Sequence, residues 1–344
     1  MKDLKSMLPR ELEEYLVSLG EPKFRAKQIF SWLHRGVSSF DEMSNVPKPL
    51  REKLAQDSYI NALTMLDKQV SHRDGTVKYL WGLRDGNAVE TVLMSYEHGN
   101  TVCISSQVGC RQGCAFCAST IGGLVRDLEP SEMLDEVLAS EEEAGVRVSN
   151  IVIMGIGEPL DNFDNVVKFL RLANDPNGLD IGMRHITLST CGLTEMLPRL
   201  AEEDLQITLA ISLHAPDDET RSRLMPANRG RGVEEVIRAC EAYFEATGRR
   251  ITFEYAMIDG VNDAPWQAQL LAKHARRVRA HINLIPLNLV EEREFCPSKP
   301  ENMREFCAQL DKHGANYTVR RSLGGDVDAS CGQLRRRREK AETR

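Results

Sequence analysis

Residues 206–215 read QITLAISLHA, an almost unbroken run of aliphatic and β-branched residues that ends in Ser212, Leu213 and His214. Apolarity this continuous marks a strand covered on both faces, as strands of a parallel sheet are. Runs of the same kind recur as TVCISSQ (101–107), NIVIMG (150–155), HITLST (185–190), RITFEYAMI (250–258) and HINLIPLN (281–288). Between them lie stretches with helical spacing, among them SEMLDEVLASEEEAG (131–145), NVVKFLRLAN (165–174), VEEVIRACEAYFEATG (233–248) and AQLLAKHARRV (268–278). Repeated strand–helix units predict an α/β fold with a parallel sheet and crossover helices. Eight units close a full barrel, so six predict a partial (β/α)6 barrel. Such folds place their sites at the C-terminal ends of the strands, where the chemically unusual residues of this chain fall.

The segments ahead of the barrel read differently. ELEEYLVSLG and FRAKQIFSWLHRG are helical patterns that stop at Gly20 and Gly36, and a third short helix is expected after Pro47 and Pro49. TVKYLWGLRDGNAVETVLM (76–94) is two strand-like runs joined through Asp85-Gly86, a hairpin signal. The expected organisation is a helical unit over 1–56, a β-rich linker over 57–98, the barrel over 99–334 and a basic tail over 335–344. With 344 residues, a prior of about two domains applies.

Apolar residues make up 42% and charged residues 28%, ordinary globular values that argue against general disorder. No apolar run approaches the ~18 residues that span a bilayer, and MKDLKSMLPRELEEY has no long apolar signal core. A cytoplasmic protein without membrane attachment is expected. The net charge of −7 hides an asymmetry. Residues 1–56 carry ten Lys and Arg against eight Asp and Glu, and residues 320–344 carry eight against four, including Arg335 to Arg338. Basic ends around an acidic centre suggest a nucleic-acid partner, with a merely solvated surface as the plainer alternative.

Nine cysteines in such a chain point to metal binding, catalysis or packing rather than a disulfide framework. Cys110, Cys114 and Cys117 form C-x3-C-x2-C directly after a predicted strand. Thiolates this close can converge on zinc or an iron–sulfur cluster. Zinc would need a fourth ligand, for which Cys103 is available. Three cysteines on a four-iron cluster would leave one iron open.

The segment CISSQVGCRQGCAFCAST (103–120) resembles that of the RlmN/Cfr family of radical S-adenosylmethionine (SAM) RNA adenine methyltransferases. GEPLDN (157–162), LST (188–190), AISLHAP (210–216), NLIPLN (283–288) and DVDASCGQL (326–334) resemble the same family, in family order and over essentially the whole chain. The resemblance implies a radical SAM barrel behind a small N-terminal RNA-binding domain. It implies Cys110, Cys114 and Cys117 as ligands of one [4Fe-4S] cluster, with SAM held by Gly157, Glu158, Ser189, Ser212, Leu213, His214 and Asn288. Taken alone, the glycine would mark a tight turn and His214 a structural histidine.

The resemblance further implies that Cys331 carries a methyl group as S-methylcysteine and that Cys103 is its resolving partner through a transient disulfide. Two SAM molecules are used, one to methylate Cys331 and one to activate that methyl group, and Glu90 accepts the proton from the substituted adenine carbon. Without it, Glu90 reads as an exposed strand carboxylate, Cys103 as a core residue and Cys331 as a loop thiol. Cys191, Cys240, Cys296 and Cys307 read as packing residues. The implied substrate is adenine 2503 of 23S ribosomal RNA, methylated at C2, with adenine 37 of some transfer RNAs as a second. Lys23, Arg25, Lys27 and Arg335–Arg338 are the expected phosphate contacts. An electron donor such as flavodoxin or ferredoxin is implied, and a monomer expected. CASTIGGLVRDL (117–128) favours C2 over the C8 chemistry of Cfr-type resistance enzymes. The rival from another class is a zinc-stabilised, non-catalytic RNA-binding protein.

Overall fold

A computed structural model describes residues 1–321, 323–327 and 333–335. The N-terminal unit consists of α1 (Pro9–Ser18), α2 (Phe24–Leu33) and α3 (Lys48–Asp57). Its ends are joined by parallel pairing of β1 (Lys2–Asp3) with β2 (Ser58–Tyr59). Leu12, Leu16, Ile29, Leu33 and Leu54 meet in its core because helical spacing puts them on facing stripes. Gly20 and Gly36 adopt positive φ where α1 and α2 stop, as the sequence predicts.

Four antiparallel strands follow: β3 (Thr64–Val70), β4 (Val77–Gly82), β5 (Ala88–Tyr96) and β6 (Gly99–Ile104). The β4–β5 turn falls at Asp85-Gly86, with Gly86 at φ 85°. A small hairpin of β7 (Gln107–Gly109) and β8 (Leu124–Asp127) then leads into α4 (Pro130–Ala144). From there strands and helices alternate: β9 (Val148–Ile153), α5 (Phe163–Asn174), β10 (Ile186–Thr190), α6 (Leu197–Glu202), β11 (Thr208–Ser212), α7 (Asp218–Leu224) and α8 (Gly232–Thr247). The series closes with β12 (Ile251–Met257), α9 (Pro265–Arg277), β13 (His281–Pro286), α10 (Pro300–Lys312) and β14 (Tyr317–Val319).

All the main strands join one ten-stranded sheet in the order β14-β13-β12-β11-β10-β9-β6-β5-β4-β3, parallel from β6 through β14. The six strand–helix units beginning at β6, β9, β10, β11, β12 and β13 are those read from the sequence. Strand β14 extends the sheet beyond them. Because β5 pairs with β6, the strands within 57–98 form an antiparallel wing of the barrel sheet itself. Leu188, Leu209, Ile211, Phe253 and Leu284 are wholly buried, while polar neighbours on the same strands, Ser189, Ser212 and Glu254, line a cavity. No helix among the described residues is long and apolar enough to cross a membrane.

A buried polar cluster joins the N-terminal unit to the barrel. Lys5 Nζ donates to Asp135 Oδ1 on α4 at 2.6 Å and to the Asn61 carbonyl at 2.7 Å, while Asn61 Nδ2 donates to Asp135 Oδ2 at 2.8 Å. Burial pushes the Asp135 carboxyl up to about 6 despite its cation. Lys5→Ala leaves that carboxylate buried without its counter-charge and should cost about 3–5 kcal/mol in a denaturant titration. The double variant K5M/D135L should recover much of the loss; equal stability of K5A and the parent chain would contradict the account.

Candidate active site

The loop after β7 carries the three closely spaced thiols. Gly109, at φ 78°, lets it turn back: a Cβ there would lie 2.0 Å from the Gly123 carbonyl. The loop is held on two sides. Ala115 N–H donates to the Leu224 carbonyl at the end of α7 (2.8 Å), and Arg293 Nη2 donates to the Cys117 carbonyl (3.0 Å) and Thr120 Oγ1 (2.9 Å). Cys110, Cys114 and Cys117 thereby line one inner chamber of about 240 Å³. Burial pushes the Cys110 thiol up to about 12 and raises Cys114 as well. A metal taken up here must displace their protons.

Successive strand ends complete that chamber with Gly157, Glu158, Ser189, Ser212 and His214. Gly157 has φ 117°, and a Cβ on it would fall 2.6–2.8 Å from Ser106 Oγ and from Cβ and N of Gln107. Glycine is required for the β9–α5 loop to lie against the loop between β6 and β7. Glu158 is buried, with its carboxylate accepting from the backbone N–H of Cys191 (2.7 Å) and Leu160 (3.0 Å). Ser189 and Ser212 place their hydroxyls 3.3 Å apart. His214 sits at φ 54° and accepts the Ala256 N–H on Nδ1 at 3.0 Å, so its proton resides on Nε2. Burial, aided by the Arg221 charge, holds it neutral with a pKa near 3. Leu213 is wholly within the core and lines neither chamber.

A second chamber of about 300 Å³ adjoins the first, sharing Phe116, Cys117, Met154, His214, Ile285 and Arg320 with it. Cys103, on β6 and packed with Val92, Met94 and Leu323, lines this outer chamber, as does Asn288. Cys103 is thus across the cleft from Cys110 and Cys114, an arrangement unlike the four-thiol zinc site of the rival reading. Among the described residues no three His, Cys, Asp or Glu side chains converge tightly enough to hold a single metal ion.

Three comparisons with known proteins bear on these features. Residues 104–270 match the model of the Radical SAM superfamily, and residues 2–60 match the Ribosomal RNA large subunit methyltransferase N-terminal domain. A protein of Desulforamulus reducens named "Probable dual-specificity RNA methyltransferase RlmN" is 54% identical over 338 residues, covering 98% of this chain and 97% of its own. Its namesake in Lachnoclostridium phytofermentans is 51% identical over 335 residues, covering 97% and 94%. The chain belongs to the RlmN family. A solved radical SAM methyltransferase from Sphaerobacter thermophilus superposes with a TM-score of 0.91 at 43% identity, covering 97% of this chain and 99% of that one.

RlmN-family proteins of the radical SAM superfamily carry a [4Fe-4S] cluster and SAM, and the residues present fit both. Three cysteines line one chamber, the ligand type that holds iron–sulfur clusters. Beneath it lies a buried guanidinium, Arg221, bonded among the described residues to neutral acceptors. Positive charge there suits an anionic, thiolate-held group. Strand-end polar groups and the Gly157 cradle suit a zwitterionic, amino-acid-bearing ligand beside it.

Other predicted residues lie elsewhere. Glu90 is not the exposed carboxylate that strand alternation allows: it is 2% exposed, its Oε2 2.6 Å from Lys78 Nζ and its Oε1 accepting the Arg335 N–H at 2.7 Å. Val92 and Met94, on the same face of β5, line the outer chamber, so Glu90 sits just beyond that cavity's wall. Cys331 and Arg336–Arg338 fall outside the described residues. Lys23 and Lys27 are exposed on the N-terminal unit, whereas Arg25 is half-buried, bonded to Gln28 and 4.8 Å from the Phe24 ring centroid. Cys240 packs in the core as expected, and Cys296 is exposed, so packing does not account for it. Cys191 packs too, but its peptide also links Glu158 to Arg221.

Sequence reasoning passed over Arg221, Arg320 and Glu254. Glu254 was legible as a lone carboxylate in an otherwise apolar strand, RITFEYAMI. It lines the inner chamber, accepts from Asn283 Nδ2 at 2.9 Å, and is driven up to about 7 by burial against the opposing pull of Arg320. The folded chain therefore holds this proton more tightly than the unfolded chain. That stabilisation is complete at low pH and fades as pH rises from about 4.5 through about 7. In the cofactor-free protein, Glu254→Gln should be the more stable chain at pH 8, by at most about 3 kcal/mol, and should lose the advantage near pH 5. Denaturation at both pH values checks this; a pH-independent difference would refute it.

Proposed function

We propose that this chain methylates C2 of adenine 2503 in 23S ribosomal RNA and C2 of adenine 37 in some transfer RNAs. The observation that carries the reading is the common cleft: three candidate cluster thiols, five strand-end SAM candidates and the Cys103 thiol line two joined chambers. A base must leave its stack to enter such a cleft, as base-modifying enzymes require.

When bound, the cluster and SAM supply the one-electron chemistry that an electrophilic adenine carbon needs, with electrons from an external donor such as flavodoxin or ferredoxin. The protein supplies position and proton handling. Cys110, Cys114 and Cys117 hold the cluster. Glu158, fixed by two backbone N–H groups, together with Ser189, Ser212, the Nε2–H of His214 and Asn288, orients SAM. Cys331 receives the methyl group by thiolate displacement. Glu90 takes the proton from the substituted carbon, and Lys78 Nζ, 2.6 Å from its Oε2, holds the carboxyl in place. Cys103 ends the cycle by attacking the Cys331 sulfur, which forms a disulfide and frees the methylated base; two external electrons then restore both thiols.

Nucleoside mass spectrometry of RNA from a host lacking its own family members, with and without this gene, tests the reaction. The expected product is 2-methyladenine in both ribosomal and transfer RNA; 8-methyladenine, or no product, overturns the proposal. Cys331→Ala should lose the product while keeping its iron, and Cys110→Ala should lose both. Cys103→Ala should accumulate RNA-linked protein.

The N-terminal unit is the proposed RNA-positioning surface, with Lys23 and Lys27 reaching phosphates and the exposed Phe24 between them. Lys23 must give up its 2.7 Å pair with Glu13 to do so. Affinity for a ribosomal RNA fragment should fall with salt, and K23E and K27E should each flatten the log–log slope by about one unit. Salt-independent binding would refute this surface.

A further inference from the structure

Arg221 is the largest wholly buried side chain among the described residues, 1% exposed, and it lies on α7 beneath the inner chamber. Its Nε donates to the Leu213 carbonyl at 3.1 Å, its Nη2 to the Cys191 carbonyl at 2.6 Å and its Nη1 to Asn228 Oδ1 at 2.7 Å. Each acceptor is neutral, and among the described residues no carboxylate stands within ion-pair reach. Arginine is almost never buried so completely without a counter-charge. Two carboxylates of the neighbourhood are occupied elsewhere. Glu158 lies on the other side of the Cys191 peptide with its oxygens on backbone N–H groups. Asp218 Oδ1 accepts from the Val233 N–H and from Asn228 Nδ2.

The arrangement also ties the guanidinium to the thiols. Cys191 lines the chamber with Cys110, Cys114 and Cys117, and α7 grips the cysteine loop through the Ala115–Leu224 backbone bond. Arg221 itself does not line the cavity, so it acts on an occupant through its field.

We propose that Arg221 is the built-in counter-charge of the thiolate-held cluster, raising the cluster's reduction potential and favouring its retention. The inference rests on the reading that Cys110, Cys114 and Cys117 hold a [4Fe-4S] cluster. Three thiolates make the loaded cluster anionic, and uptake of one electron from an external donor adds a further negative charge. A fixed buried cation stabilises the reduced form more than the oxidised one, which moves the potential upward.

The test is an EPR-monitored redox titration of the anaerobically reconstituted full chain, its R221Q variant and its R221K variant. Iron counting and circular dichroism on each accompany it. The expected result is a lower potential in R221Q, with R221K, which keeps the charge, nearer the parent. A folded R221Q that fails to hold iron while R221K holds it supports the same conclusion. An unchanged potential in loaded R221Q overturns the inference, as do equal shifts or equal iron loss in both variants. A cofactor-free R221Q that cannot fold also overturns it, because Arg221 would then serve only to bridge the Leu213 and Cys191 carbonyls. A parent chain that takes up no four-iron cluster would instead overturn the underlying assignment of the cysteines.

Discussion

The backbone of residues 104–107 lies directly against that of residues 155–157, and the site depends on this contact. Gly155 N–H donates to the Ile104 carbonyl, and Ser106 and Gln107 N–H both donate to the Ile156 carbonyl. A Cβ at Gly155 would sit 2.6 Å from the Ile104 oxygen. The two chain segments touch only because no side chain stands between them. That contact fixes where the cysteine loop departs from β6 and where Glu158 enters the chamber. Gln107 reinforces it by accepting the Glu158 N–H at 2.8 Å. Parallel neighbours β6 and β9 bring these ends together, and glycine lets them close.

Helix α4 joins the remaining parts to that seam. Three of its carboxylates, Glu132, Asp135 and Glu136, are buried, and each reaches a different piece of the molecule. Glu132 pairs with Arg126 of β8, Asp135 with Lys5 of the N-terminal unit, and Glu136 accepts from Thr91 Oγ1 on β5 and from the Ser105 N–H after β6. Burial raises Asp135 and Glu136 even so. Among these partners Glu136 faces only neutral donors. One helix thus locates the N-terminal unit, the antiparallel wing and the cysteine hairpin relative to the barrel through polar contacts that tolerate little displacement.

The parts legible in the sequence are those set by local pattern. Strand runs such as QITLAISLHA and NIVIMG are rich in aliphatic and β-branched residues because both faces are covered, so their order alone gives the sheet. The turn at Asp85-Gly86 and the stops at Gly20 and Gly36 are local backbone requirements. The C-x3-C-x2-C loop reads directly, since its ligands are near neighbours in the chain. Pairings between distant segments do not read. Lys78 and Glu90 look like ordinary strand charges until β4 and β5 are placed side by side beneath the chain at Arg335. Arg221 looks like one more charge in DETRSRL until α7 is folded under the ends of β10 and β11. Strand β14 is three residues long, too short for a pattern, and is recognised only by its register with β13.

The chain at the C-terminal end meets the cleft by contacts of this long-range kind. Leu323 packs on Val92, Met94 and Cys103, and the Gly324 N–H donates to Asp74 Oδ2. The Asp326 carboxylate accepts from Ser71 Oγ and the His72 N–H, both in the β3–β4 turn. Further along, Gln333 Nε2 donates to the Leu289 carbonyl and the Arg335 N–H to Glu90. The described residues before and after Cys331 are therefore fixed to the walls that hold Cys103 and Glu90. This gives the antiparallel wing a role that its position at the sheet edge does not suggest. Strands β3 to β5 make few contacts with the barrel helices, but their turn and inner face anchor the C-terminal chain over the outer chamber. In this architecture the parallel strands supply the inner chamber, and the antiparallel wing supplies the docking for the segment that the proposed chemistry needs beside it.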